Sequence, residues 1–188
     1  RRFLGDYTQD KGTMETLASK STPRELAWLM RTLSFLASAW VWGGIGGKHT
    51  DRIPAYLAVP LCAVAEKLGR PPILSYDAYG PQNWYRIDKK GPIELGNIAV
   101  IQNFYGGLDE SWFIRVHVEI EAKAGRIPKG MLRCLTAVAH KESEEVERAL
   151  ARIAEALESV CATMRRIPDG CDPYIYFSRV RPYIHGWK

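Results

Sequence analysis

SEEVERALARIAEALESVCATMRR, residues 143–166, is the stretch that decides the fold. Val146, Leu150, Ile153, Leu157, Val160 and Met164 step by four and three without a miss, the spacing that lines one side of an α-helix. The other side carries Glu144, Glu145, Glu147, Arg148, Arg152, Glu155 and Glu158, most simply a solvated surface. Working back from it, Lys129–Ala139 reads as a helix, and so does Trp112–Ala124, with Phe113, Val116 and Ile120 on one side. Nearer the start, Ser21-Thr22-Pro23-Arg24-Glu25 offers an N-cap, a first-turn proline and an early acid. Leu26, Leu29, Met30, Leu33, Leu36, Ala37 and Trp40 then recur at helical spacing, which predicts a helix over about 23–41.

The segments between these are punctuated by turn residues. Gly43-Gly44-Ile45-Gly46-Gly47 reads as a flexible loop leading through Pro54 into a second apolar helix, Ala55–Leu68, stopped by Gly69 and Pro71-Pro72. Residues 71–97 hold so many prolines and glycines that they read mostly as loop, with a short helix near Tyr76. Ile98–Tyr105 is too brief to decide between a strand and an extended segment. Beyond Pro168, Gly170 and Pro173 a further element runs from Tyr174 to Trp187. No internal repeat or low-complexity tract occurs, and the fold class is mostly α.

Composition narrows the function classes. A chain of 188 residues that is 46% hydrophobic and 25% charged can form a packed core, which excludes disordered, collagenous and disulfide-framework proteins. Its 26 Lys+Arg against 21 Asp+Glu give a net charge of +5, spread along the chain, so no nucleic-acid partner is expected. Cys62, Cys134, Cys161 and Cys171 form no C-x-x-C pair, which fits buried reduced thiols in a cytoplasmic protein and gives no sign of zinc. The chain opens on Arg1-Arg2 without a signal-like apolar region, and no apolar run approaches the ~20 residues a membrane span needs, so no membrane partner is expected. It stops at Gly186-Trp187-Lys188 without a polar tail, so it is expected to be a fragment.

Most catalytic signatures fail on inspection. The Gly43–Lys48 run lacks the first glycine of a phosphate loop, where Trp42 stands, and His49 follows the lysine, so a helix-ending hinge is expected. His117-Val118-Glu119 matches the H-x-E half of a zinc deaminase, but no P-C-x-x-C completes it, and His117 is expected to be a hydrogen-bonded core or pocket histidine. Glu119 and Glu121 lie two apart and face different sides of a helix, which argues against a carboxylate pair. No nucleophile–base set can be assembled from local motifs, although the four histidines leave room for spatial combinations.

The segment from Tyr174 to Lys188 differs in density, with five rings and three cationic side chains in 15 residues. Such a mixture suits a pocket where aromatics pack on a planar ligand and one guanidinium grips a carboxylate. Equally, it suits an amphipathic element with aromatic packing and exposed arginines.

Pro71-Pro72-Ile73-Leu74-Ser75-Tyr76, then Asn83-Trp84, Trp112-Phe113 with Val118-Glu119-Ile120, and finally Tyr176-Phe177-Ser178-Arg179-Val180-Arg181 with Tyr183 and Gly186-Trp187-Lys188 resemble the indoleamine 2,3-dioxygenase family in order and spacing. Trp40-Val41-Trp42-Gly43 and Ala58-Val59-Pro60 fit as well, so the similarity runs from about residue 26 to the end. The resemblance implies a largely helical enzyme in which a small N-terminal domain, residues 1–105, packs on a larger helical haem domain beginning at 106–188. It implies haem b with ferrous iron, dioxygen as co-substrate, and opening of the indole ring of L-tryptophan or a related indoleamine to an N-formylkynurenine-type product. In such an enzyme the cofactor carries the chemistry and the protein supplies orientation and a dry pocket.

Carried over by position, the resemblance gives Arg181 the substrate carboxylate, Tyr176 and Phe177 the indole, and Tyr76 a place as a pocket tyrosine. Tyr79, Ser111, Trp112 and Arg115 fall on distal-pocket positions and depart from the family pattern there: Ser111-Trp112 replaces two phenylalanines, Arg115 a serine and Tyr79 a small residue. These departures imply a more polar pocket and leave room for a different substrate. The family's iron-binding histidine falls beyond the position of Lys188, so no metal ligand is assigned in this chain. A monomer is expected. Two alternatives stay open: a haem enzyme of the same family with another aromatic substrate or a monooxygenation, and a non-catalytic helical module that binds carboxylated aromatic ligands.

Overall fold

In the computed structural model, residue 16 and residues 19–43 and 49–186 are described. The central part of the glycine loop expected at 43–47 lies outside them. The contacts divide the chain into two units that alternate along the sequence. The first takes in Arg1–Asn83, Gln102–Gly106 and Tyr174–Lys188, and the second Trp84–Ile101 and Gly107–Pro173.

In the first unit, helix α1 (Pro23–Trp42) starts on a capping box. The Thr22 hydroxyl accepts the Glu25 N–H at 3.3 Å, and the Glu25 carboxylate accepts the Thr22 N–H at 2.7 Å. The second helix, α2 (Ala55–Leu68), ends at Gly69, whose φ of +62° is the left-handed conformation that glycine adopts without penalty. Leu26, Met30 and Ala37 of α1 pack on Leu57, Leu61, Val64 and Ala65 of α2. Each fully buried leucine of that seam contributes about 1.5–3 kcal/mol. Leu36 and Trp40, expected on the apolar side of α1, are exposed, while Phe35, Ser34 and Ser38 are buried. The buried arc is therefore rotated from the one hydrophobicity predicts, because α1 also backs a second group of side chains described below. A single turn, α3 (Tyr76–Tyr79), is capped by Ser75, whose hydroxyl accepts the Ala78 N–H.

In the second unit, β1 (Trp84–Arg86) and β2 (Ile98–Val100) pair antiparallel with Tyr85 opposite Ala99. Three helices follow: α4 (Leu108–Ala124), α5 (Arg126–His140) and α6 (Ser143–Met164). Helix α4 begins four residues before the expected Trp112, with Asp109 and Glu110 in its first turn, where the helix dipole favours acids. The expected apolar stripe of α6 is split. Ala149, Ala156 and Thr163 are the buried positions, whereas Leu150, Leu157 and Met164 are about half exposed. At Ala149 a small residue suits the contact because α5 approaches closely, whereas Thr163 is buried against Glu119 and Lys123 of α4. A Cβ at Gly130 would lie 2.6 Å from Ile153 Cγ1.

Among the described residues no helix is long and apolar enough to cross a membrane. The cysteines depart from expectation: all four are free, but Cys62 and Cys161 are exposed, Cys134 is half-buried and only Cys171 is buried. Burial, with Asp109 and Asp172 nearby, pushes the Cys171 thiol up to about 11, so it stays protonated and unreactive.

Candidate functional site

The arginine and aromatic segment belongs to the first unit and departs from ordinary helix. After a short turn, α7 (Pro173–Ile175), residues Tyr176–Val180 widen into a π-turn in which the Arg181 N–H donates to the Tyr176 carbonyl. A single-turn π segment is uncommon and recurs at functional sites. A tight 3₁₀ turn, Arg181–Ile184, then closes the run. The turn presents Phe177 outward, 64% exposed, with the Arg181 guanidinium 5.3 Å from its ring centre. Tyr176 is half-buried, and between Pro173 and Lys188 there is no carboxylate to neutralise Arg181.

This outward pair stands on a fixed base. Val180 is fully buried, and the Arg179 guanidinium lies over the Tyr105 ring at 5.6 Å. Further along, Trp42 donates its indole N–H to the His185 carbonyl at 2.9 Å. Tyr183 stacks on Phe104 with centres 5.1 Å apart and planes within 9°, and Phe104 stacks in turn on Phe35 at 4.5 Å. Tyr79 completes the stack, 5.9 Å from Phe35 and 6.3 Å from Phe104. Such ring pairs add about 0.5–1.5 kcal/mol each beyond the area they bury.

Polar side chains lock the irregular segment that carries Phe104. Arg31 is only 5% exposed, and its Nε donates to Gln102 Oε1 at 3.0 Å while Nη1 donates to the Gln82 carbonyl at 2.6 Å. Burial without a carboxylate beside it lowers the Arg31 pKa from its ordinary value. Asn83, fully buried, donates to the Tyr79 and Gln102 carbonyls and accepts the Gln102 N–H. A groove of about 320 Å³ runs beside the stack, lined in part by Leu36, Gln102, Phe104 and Tyr183. None of Tyr76, Tyr176, Phe177 and Arg181 lines it. Tyr76 sits half exposed on α3, and Tyr79, one turn on, is buried in the stack.

The remaining expected residues lie on the first two turns of α4, in the second unit. Arg115 donates through Nε to the Ser111 carbonyl at 3.3 Å and lays its guanidinium 5.3 Å from the Trp112 ring centre. Arg166 lies 5.5 Å from the same ring, and its carbonyl accepts the Trp112 indole N–H at 2.8 Å. Gly170 is held against that ring so closely that a Cβ would lie 2.8 Å from it. Trp112 therefore serves as packing for its own unit, against Leu95, Val116 and Ile120.

One further turn along α4, Glu119 is 4% exposed. It accepts the Leu95 N–H at 2.6 Å, the Lys123 ammonium at 2.6 Å and the Thr163 hydroxyl at 3.1 Å. Burial pushes its carboxyl up, but these donors outweigh that effect and hold the pKa below the ordinary carboxylate value. A groove of about 500 Å³ opens beside it, lined in part by Leu95, Trp112, Arg115, Lys123 and Arg166.

Of the eight expected site residues, the structure brings Phe177 and Arg181 together in one unit and Ser111, Trp112 and Arg115 in the other. Phe35, Phe104, Tyr183, Arg31 and Asn83 were not expected to support the site. Phe35, Phe104 and Arg31 show no signal beyond a ring or polar group inside an otherwise unpatterned or apolar stretch, whereas Asn83 and Tyr183 stand among the residues that carry the family resemblance without a role assigned there. His117 behaves as expected, with Nδ1 2.8 Å from the Phe113 carbonyl. Glu119 and Glu121 diverge as their spacing requires, one buried and the other exposed. Among the described residues no cluster of three histidine, cysteine or carboxylate side chains could hold a metal ion.

Comparison with known proteins adds an independent line. A family model described as indoleamine 2,3-dioxygenase matches residues 13–188. The chain is similar to indoleamine 2,3-dioxygenase 1 of Rattus norvegicus, 35% identical over 156 residues that cover 83% of this chain and 38% of the relative. It is 32% identical over 161 residues to an indoleamine 2,3-dioxygenase of Aspergillus candidus, covering 83% of this chain and 39% of that protein. The enzyme of the same name from Saccharomyces cerevisiae is 30% identical over 176 residues, covering 87% of this chain and 37% of its own length. The chain thus spans under two fifths of the length of these relatives.

Proposed function

The chain belongs to the indoleamine 2,3-dioxygenase family, and on that premise we propose that the whole protein is a haem-dependent dioxygenase that opens the indole ring of tryptophan or a related indoleamine. The observation that carries this reading is the Phe177–Arg181 pair, a ring and a guanidinium 5.3 Å apart on an anchored π-turn. An aromatic amino acid carries the complementary pair, a flat ring and a carboxylate. For the whole protein we take residues 1–105 as a small N-terminal domain and 106–188 as the start of the large helical one. That division is distinct from the two contact units described above.

The donor set fits the substrate side of a haem pocket. An aromatic segment with cations and no carboxylate suits a carboxylated indole, while none of the described side chains is assigned to iron. When bound, the ferrous haem would supply the activation of dioxygen. The chain's own residues have other tasks. Arg181 grips the substrate carboxylate through two parallel N–H···O bonds and so fixes where the ring lies. Phe177 and Tyr176 pack on the indole and exclude water from it, and Tyr176 adds a hydroxyl to that wall. Tyr76 contributes a further half-exposed ring. Ser111, Trp112 and Arg115 stand as proposed distal-pocket residues, as does Tyr79. Dioxygen and a small aromatic substrate are the proposed partners of a cytoplasmic monomer.

The purified whole protein is expected to show a Soret band and, when ferrous and supplied with tryptophan and oxygen, to form N-formylkynurenine. Arg181→Leu is expected to cost about 1.5–3 kcal/mol of carboxylate binding, a roughly 10- to 150-fold rise in KM. A whole protein that takes up no haem on reconstitution overturns the proposal. Unchanged KM in Arg181→Leu moves the carboxylate site elsewhere.

A further inference from the structure

Arg181 stands between two side chains that dock on one short segment. Two residues before it, the Arg179 guanidinium lies over the Tyr105 ring at 5.6 Å, and two residues after it the Tyr183 ring stacks on Phe104 with centres 5.1 Å apart. The receiving rings are consecutive residues, and both partners of each contact belong to the same unit. Arg181 is thus bracketed.

The bracket matters because the backbone it holds is irregular. The π-turn Tyr176–Val180 and the 3₁₀ turn Arg181–Ile184 meet at Arg181, so no continuous helical ladder fixes the direction in which its side chain leaves the chain. A small rotation at that joint moves the guanidinium relative to the Phe177 ring. A two-bond grip on a carboxylate tolerates little such movement.

The receiving segment is itself anchored on its far side. The Gln102 side chain accepts Arg31 Nε at 3.0 Å, the Gln102 N–H donates to Asn83 Oδ1 at 2.9 Å, and Phe104 stacks on Phe35 at 4.5 Å. Arg31 and Asn83 are buried, so these anchors are shielded from water. Tyr105 is 44% exposed, and replacing it removes a dock for Arg179 without opening the core.

We infer that Phe104 and Tyr105 are positioning residues for the proposed carboxylate site: acting through Tyr183 and Arg179, they set where Arg181 stands relative to Phe177. The inference rests on the proposed grip of Arg181 on a carboxylate. Its consequence is selectivity. Loosening either dock weakens ligands that carry a carboxylate and spares those that lack one, whereas a residue that only stabilised the fold would weaken both alike.

The test measures dissociation constants of the whole protein, with oxygen excluded, for tryptophan and for tryptamine, which has the same ring and amine but no carboxylate. Tyr105→Leu and Phe104→Leu are each expected to weaken tryptophan roughly 3- to 10-fold and tryptamine less than about twofold. Tyr105→Phe keeps the ring under Arg179 and is expected to stay within about twofold of the wild type for both ligands. In the Arg181→Leu background, Tyr105→Leu is expected to change tryptophan binding less than about twofold, since the group it positions is gone. Tyr105→Leu decides the matter even where Phe104→Leu fails to fold. Unchanged tryptophan binding in Tyr105→Leu, equal weakening of both ligands, or a loss that persists in full in the Arg181→Leu background overturns the inference and leaves the carboxylate reading intact. If Arg181→Leu alone weakens tryptophan no more than tryptamine, the carboxylate reading itself fails, and the inference falls with it.

Discussion

The two units are held together by different means. In the first, the irregular element that carries Phe177 and Arg181 joins, through its own Tyr183, a stack of rings from separate places in the chain, Phe104, Phe35 of α1 and Tyr79 of α3. In the second, long helices pack through glycine and alanine, and the polar work is concentrated in Glu119, Lys123 and Thr163. Rings suit the first task because each covers a large area with few rotatable bonds, so irregular backbone can be fixed without a continuous hydrogen-bond ladder. Small residues suit the second, since they let helix backbones approach and leave the larger side chains for the outer faces.

The contrast can be broken by mutation, starting where the effect should be greatest. Phe35→Ala removes the buried ring that backs Phe104 and should cost about 3–5 kcal/mol in urea unfolding. Hydrogen exchange should place the loss around residues 102–106. A loss under about 1 kcal/mol would mean that the stack is ornamental and the Arg31–Gln102–Asn83 bonds alone hold the segment.

Glu119→Gln should cost about 1–3 kcal/mol, because it leaves the Lys123 ammonium without its charge partner. The sign of the pH effect follows from the lowered folded pKa. The stabilisation is complete above the ordinary value of 4.5 and is lost as the pH falls from there through the folded value. An acid titration of stability should therefore be steeper for the wild type than for the Gln variant below that pH. Parallel curves would show that Glu119 is not the group that titrates.

Gly170→Ala sets a Cβ against the Trp112 ring, which overpacks the contact. Reduced freedom of the unfolded chain offsets part of that cost, so a net loss of about 1 kcal/mol is expected in the same unfolding assay. Smallest of all, Arg148→Ala removes exposed pairs with Glu144 and Glu145 and should change stability by less than about 0.5 kcal/mol. A larger loss would mean that the polar side of α6 is more than a solvated surface.

Much of the helical framework was legible before any coordinates. The capping residues at Thr22 and the breaks at Gly69 and Pro71 place α1 and α2 within a residue of where they lie, since caps and breakers act locally. The α6 stripe was legible as a helix but not as a contact. Hydrophobicity marks an arc of the helix, and only the neighbour decides which part of the arc is covered. Of the candidate site, the i, i+4 relation of Phe177 and Arg181 could be read from spacing, whereas the π-turn that spreads them could not. The ring stack was illegible, because Phe104 lies in a stretch too short to show a period.

What the sequence by itself determined is the set of long helices, the ends of α1 and α2 and the kinship with the indoleamine 2,3-dioxygenase family, all written in residues that are neighbours along the chain or at one turn's spacing. The tertiary structure alone decided which side chains become partners: Phe104 with Tyr183 and Phe35, Arg31 with Gln102, Glu119 with Thr163. The physical reason is that a hydrogen bond within a helix joins residues four apart and leaves a pattern. A ring stack or a buried carboxylate joins residues whose separation along the chain is arbitrary, and leaves none.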